Sequence, residues 1–389
     1  MRGWGRSTLA FAAVAVVASA APDGARAGAS CASAMPSVAA RLPAPIVVTT
    51  DCGRYRFERS GRLRFRAGFA LPVPAGAAYY MDLTWYRLRG GRLVIGHRKQ
   101  TLWRSRARFE GRYVDIGAVA SGHDAVAYSI FHGRRQSLFV AHLGRPERLI
   151  ATGEHPLGFT TRGGLICRRR WALLLRSGPD WRPRRLIRAA SDVVFDHAAQ
   201  AAYFVVGGRI ERFDGARIAR LATLASLRVG RRPQIEPLGR LVAVHSLRRL
   251  VVLRLDGTVL ASMQSPRPVR RADVGISSAL AADGDADAVA FTVARGNTAS
   301  SSDGRELVYV LRPRATAARL VFRARMSFAG CARGAELAWR GRWLLYSNSE
   351  GRVALIDTGR PDASVDLSVT VARLPGMGGD RGRFDVVWA

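Results

Sequence analysis

Residues 241–257 read Leu241-Val242-Ala243-Val244-His245-Ser246-Leu247-Arg248-Arg249-Leu250-Val251-Val252-Leu253-Arg254-Leu255-Asp256-Gly257. Two short runs rich in Val and Leu are separated by a small polar break and end on Asp-Gly. Runs of this length and composition are strands, because no 3.6-residue spacing of apolar positions extends through them. Asp-Gly supplies the positive φ angles that a tight hairpin needs. The stretch therefore reads as two antiparallel strands of a meander.

The same grammar recurs on both sides. The first of the two runs aligns with those beginning at Met81, Val126, Leu165, Ala202, Val289 and Trp343. In chain order the seven starts are 45, 39, 37, 39, 48 and 54 residues apart. The long last two spacings hold polar insertions at 264–274 and 295–304. The second run has a counterpart at Ser137-Leu138-Phe139-Val140-Ala141-His142-Leu143-Gly144. A period near 40 with several strands per unit is the signature of a β-propeller. The expected fold is all-β, with about seven four-stranded blades and six as the second choice. No single blade buries both of its faces, so neighbouring blades supply the core. No stretch holds helical periodicity over three turns, and almost no helix is expected.

Ser302-Asp303-Gly304-Arg305-Glu306-Leu307-Val308-Tyr309-Val310 resembles the S-x-D-G-x-x-L-x-Y turn and strand of TolB-type and WD-repeat propellers. Weaker echoes are Ala281-Ala282-Asp283-Gly284 and Ser121-Gly122-His123-Asp124, each leading into a strand. Other units depart from the motif, as at Glu236-Pro237-Leu238-Gly239. The resemblance implies the fold and little about activity, since propellers host binding modules and enzymes alike.

The chain divides into a signal peptide (1–27), a linker or extended arm (28–53) and a propeller (54–389). Residues 383–389 form a strand with no partner after it, expected to join the N-terminal blade and close the ring. Residues 54–66 read as a hairpin outside the clean repeat. At the N-terminus, Arg2 and Arg6 precede a 13-residue apolar run, Leu9 to Ala21, too short to span a bilayer. Small-x-small cleavage sites follow at Ala18-Ser19-Ala20 and Ala25-Arg26-Ala27, the second preferred. The arginines are not adjacent, which points to general secretion. No later stretch is long and apolar enough to span a bilayer, so a secreted or envelope location is expected.

With 61 Lys+Arg against 29 Asp+Glu, the formal charge is +32. Lys99 is the single lysine, so nearly all of that charge is Arg. Selection for positive charge would not exclude Lys so completely, and a GC-rich genome accounts for the bias. The surface still attracts polyanions. In an exported protein these are wall polymers or anionic lipid before nucleic acid. The four cysteines, Cys31, Cys52, Cys167 and Cys331, suggest two disulfides in an exported chain. Three pairings are possible, and Cys31–Cys52 with Cys167–Cys331 is preferred.

Residues 168–188 combine eight Arg with Trp171 and Trp181. Arg168, Arg169, Arg170, Trp181, Arg182, Arg184 and Arg185 are the candidate binding residues, since Arg and aromatic planes together grip phosphates or sugars. Trp171, beside Leu173–Leu175, reads as core. Asp283, Asp285 and Asp287 alternate as calcium ligands do, but Ala288 and Ala294 stand where Gly and Glu are required, so an acidic turn is preferred. His123-Asp124 and Asp196-His197 occupy equivalent turns and could place an acid and a base on one rim. Hairpin turns carry such residues by default. No GxSxG, HExxH, SxxK or phosphate-binding Gly loop is present, and no cofactor is expected. The expected function is a non-catalytic, monomeric binding scaffold of the cell envelope. Its partner would be an envelope protein or an anionic wall polymer. The other reading is a propeller enzyme, a carbohydrate-active lyase or hydrolase, with its site in the central channel.

Overall fold

The computed structural model describes residues 41–50, 53–67, 78–79, 84–89, 92–97, 100–106, 114–121, 124–132, 135–142, 145–230, 233–246, 248–264, 276–283, 287–295, 304–326, 335–348, 351–374 and 385–389. The signal-peptide reading and three of the four cysteines lie outside them. Among the described residues the strands form eight four-stranded sheets. Blades 2 to 8 span residues 78–104, 114–152, 155–187, 191–223, 234–264, 276–326 and 336–366, each with its strands in chain order. Blade 1 orders Leu63–Ala67, Gly53–Phe57, Ile46–Thr50 and Asp385–Trp388.

The first strands of successive blades touch one another. The series runs from Val114–Ser121 through His155–Phe159, Ser191–Asp196, Gln234–Leu238, Ile276–Asp283 and Glu336–Arg340 to Asp385–Trp388. These are the inner strands around the axis, and the last strand of each blade is the outer edge. The protein is a β-propeller. All seven aligned sequence runs overlap the second strand of their blades, from Thr84–Arg89 in blade 2 to Trp343–Ser347 in blade 8.

Among the described residues there are eight blades where the sequence rhythm suggests about seven. The additional blade contains the 54–66 hairpin as its two outer strands. Its second strand, Ile46–Thr50, lies inside the segment expected to be a linker, so the fold begins before residue 54. Its inner strand comes from the other end of the chain: Ile46 pairs with Trp388 and Thr49 with Asp385. The unit carries only three strands in continuous sequence, which hides it from a search for whole repeats.

The continuous apolar character of the second strands follows from their place in the ring. In Leu241–Ser246, Leu241 and Ala243 pack with Val289 and Phe291 of blade 7, whereas Val242 and Val244 pack with Tyr203 and Val205 of blade 5. Alternate side chains point to opposite faces, and each face meets a blade. The seven core clusters lie between adjacent blades, from blades 2 and 3 round to blades 8 and 1. Inner strands approach closely: a Cβ on Gly158 of blade 4 would lie 2.0 Å from the Phe195 ring of blade 5. Among the described residues two short α-helices occur, Leu224–Leu227 (α1) and Ser368–Ala372 (α2). Among the described residues no helix is long and apolar enough to cross a membrane.

Candidate functional site

The turns between second and third strands share one rim with the connections from one blade to the next. On that rim, blades 4 and 5 enclose a cleft of about 680 Å³. Its walls are Ala189, Ala190 and Val205, with Leu224 and Ala225 of α1. Trp171 and Arg228 stand at its edge. The walls are mainly apolar, and the mouth is open to solvent.

Each wall has a local cause. Blade 5 turns at Gly207-Gly208, both with positive φ (53° and 73°), which a two-residue hairpin of this hand requires. The turn carries no side chains, which leaves the space open. The carbonyl of Gly208 accepts from the Leu224 N–H at 2.8 Å and holds α1 against the turn. The Thr223 hydroxyl caps α1 by accepting from the Ser226 N–H at 3.2 Å. Arg228 ends it in the left-handed region, φ 53°. Opposite, the Trp171 carbonyl accepts from the Ala190 N–H at 2.7 Å. The Arg168 guanidinium lies 5.8 Å from the Trp171 ring centroid, and its Nε donates to the Arg170 carbonyl at 3.0 Å. Trp171 is thus a 57 % exposed aromatic ring beside an apolar hollow.

The two tryptophans exchange the roles the sequence suggested. Trp171 was expected in the core because of its Leu neighbours, but it sits in the Arg170-Trp171 turn at the end of its strand. Trp181 was expected on a binding surface and is buried. With φ 51° it turns inward between blades 3 and 4, against Phe159 and His142. The candidate arginines also separate. Arg168 and Arg169 end the strand that precedes Trp171, and Arg170 lies in its turn, with none of the three lining the cleft itself. Arg182, Arg184 and Arg185 lie along the exposed outer strand of blade 4, with Arg182 paired to Ser177 at its far end. The sequence reading missed Arg228, α1 and the glycine turn, because a cleft between two units leaves no mark in either one.

Beneath the rim the polar groups are structural. Glu154 and Arg176 are both buried and joined by two 2.8 Å hydrogen bonds from Arg176 Nε and Nη2. Arg176 Nη1 also donates to the Trp181 carbonyl at 2.7 Å. The Glu154 hydrogen bond pushes the Arg176 pKa up further. Cys167 is a buried thiol in the core of blades 3 and 4, raised in pKa by burial, and has no disulfide partner among the described residues. Cys31, Cys52 and Cys331 lie outside them. Asp196 Oδ1 accepts from the N–H groups of Ala198 and Ala199, as a turn residue does. Asp124 lies 3.8 Å from His142, and His123 is outside the described residues. Asp287 bonds to Arg254 of blade 6, while Asp285 is outside the described residues. Among the described residues no group of three or more His, Cys, Asp or Glu is placed to hold a metal.

No family profile matches the chain, and no curated protein matches it. Similar solved structures include Sqt1 from Chaetomium thermophilum, at 15% identity over 65% of this chain and 71% of that one, TM-score 0.42. The WD40 domain of SCAP from fission yeast is similar at 9% identity, covering 88% and 98% of the two chains, TM-score 0.40. The Neurospora crassa Pan2 WD40 domain is similar at 12% identity over 65% and 78%, TM-score 0.36. Likenesses this distant carry nothing about activity.

Proposed function

We propose that this chain is an exported, non-catalytic binding scaffold of the cell envelope that holds a partner in the cleft between blades 4 and 5. The supporting observation is the exposed Trp171 ring beside an apolar hollow on a rim rich in Arg. An exposed aromatic beside a preformed pocket is what a binding hot spot uses. Of the turn carboxylates, Asp196 is engaged by the turn backbone and Asp287 by Arg254.

The test uses the tagged protein recovered from the envelope fraction, where its chain should begin at Gly28. That fraction is then probed for partners at low and high salt. Capture that persists at high salt and disappears in Trp171→Ala supports the scaffold. Capture of wall polymer or lipid only at low salt, unchanged in Trp171→Ala, would mean that net charge alone acts.

A further inference from the structure

We infer that the occupant of the cleft is an acidic peptide segment that inserts one aromatic or branched aliphatic side chain. This rests on the binding reading above and names its ligand. The hollow decides the anchor. Its Ala, Val and Leu walls offer few hydrogen-bonding groups, so only an apolar group gains by displacing water there. A sugar-phosphate polymer has no such group. The volume of about 680 Å³ admits one large side chain with its flanking backbone.

The mouth decides the flanks. Arg169, Arg170 and Arg228 are exposed, and so is Arg188 in the connection leading to Ala189. No carboxylate among the described residues is paired with any of the four, as is also true of Arg182, Arg184 and Arg185 on the outer strand of blade 4, whereas Arg209 and Arg212 of blade 5 are engaged by Glu211 and Asp214. Positive charge is left uncompensated around the one preformed apolar hollow that Trp171 lines. Carboxylates on either side of the anchor match it, speeding encounter and fixing register. Preorganisation supports the same conclusion. The Arg168 guanidinium lies over the Trp171 ring, and α1 is bonded to the Gly208 turn. Both contacts reduce the ordering that binding would otherwise cost.

The test is fluorescence anisotropy with a labelled synthetic peptide that carries one central Trp flanked by Glu on both sides. Three further probes are the same peptide with Ala at the centre, the same peptide with Lys flanks, and polyphosphate. The Trp-centred acidic peptide should bind at least about tenfold more tightly than either altered peptide, or ~1.4 kcal/mol. Trp171→Ala and Arg228→Glu should each weaken it, and Arg184→Glu on the outer strand should not. Ala225→Trp, at an exposed position, fills the hollow from its rim and should abolish binding while the melting temperature holds.

Polyphosphate competing as well as the peptide, with Arg184→Glu and Arg228→Glu equally harmful, would overturn the inference in favour of a polyanion. If no peptide binds but the envelope partner is still captured through Trp171, the ligand class is wrong and the scaffold reading stands. If neither depends on Trp171, both fall.

Discussion

His245 sits on the second strand of blade 6, fully buried, with no hydrogen-bond partner for Nε2 among the described residues. Burial lowers its pKa from 6.5 to about 4. Above pH 6.5 the imidazole is neutral in both folded and unfolded chains and contributes no pH dependence. Between pH 6.5 and about 4 only the unfolded chain takes up the proton, so stability falls on acidification, by roughly 3 kcal/mol over the window. Thermal denaturation followed from pH 7 to 4 should show this loss in the natural protein. A His245→Gln variant should lose less across the same range. Equal slopes would mean that His245 is hydrated or relaxed. The Glu154–Arg176 pair behaves differently. Glu154→Gln leaves a buried guanidinium without its counter-charge, and urea denaturation should register a cost of about 3–5 kcal/mol. Replacing both together, Glu154→Leu with Arg176→Met, should cost far less. A double variant as unstable as the single one would show that the pair is more than mutual compensation.

At the scale of elements, the second strands were legible because they are the most buried ones. A strand facing a blade on both sides must be apolar on both, so it stands out as an unbroken run. The inner strands face the axis on one side and mix polar with apolar residues, as in Gln234-Ile235-Glu236-Pro237-Leu238. Their positions followed only from the second strands. The rim was nearly illegible. Trp171 and Trp181 lie ten positions apart in similar Arg-rich surroundings, and their fates are set by a turn and by a positive φ that composition does not encode. Blade 1 escaped because its inner strand is distant in sequence. That strand carries its own expectation. Removing residues 385–389 exposes the edge of Ile46–Thr50 and part of the blade 8 and blade 1 core, where Val386 packs. Limited proteolysis should then cut near blade 1 well before the other blades. Cleavage spread evenly over all blades would mean that the ring does not depend on this clasp.

At the scale of the whole molecule, the excess of arginine is spread over the surface, and its distribution carries more information than its sum. Some arginines are engaged in local pairs, such as Arg209 with Glu211 and Arg212 with Asp214. The set proposed to act at the cleft differs from the remaining unpaired ones by lying beside an apolar hollow. Net charge governs solubility and unspecific attraction to polyanions, and it is screened beyond roughly 10 Å at 0.1 M salt. The apolar hollow is not screened in that way, which is why salt separates the two kinds of binding.

The clasp between Ile46–Thr50 and Asp385–Trp388 also sets a timetable. The ribosome makes the second strand of blade 1 near the start of synthesis and its inner partner at the end. At 5–20 residues per second the interval is on the order of half a minute. Throughout it, the edge of Ile46–Thr50 has no partner of its own, and an unpaired strand edge is a template for pairing with another chain. Crowded polysomes making this protein therefore run a risk that the finished ring no longer shows, and slowed synthesis of the last blades lengthens it.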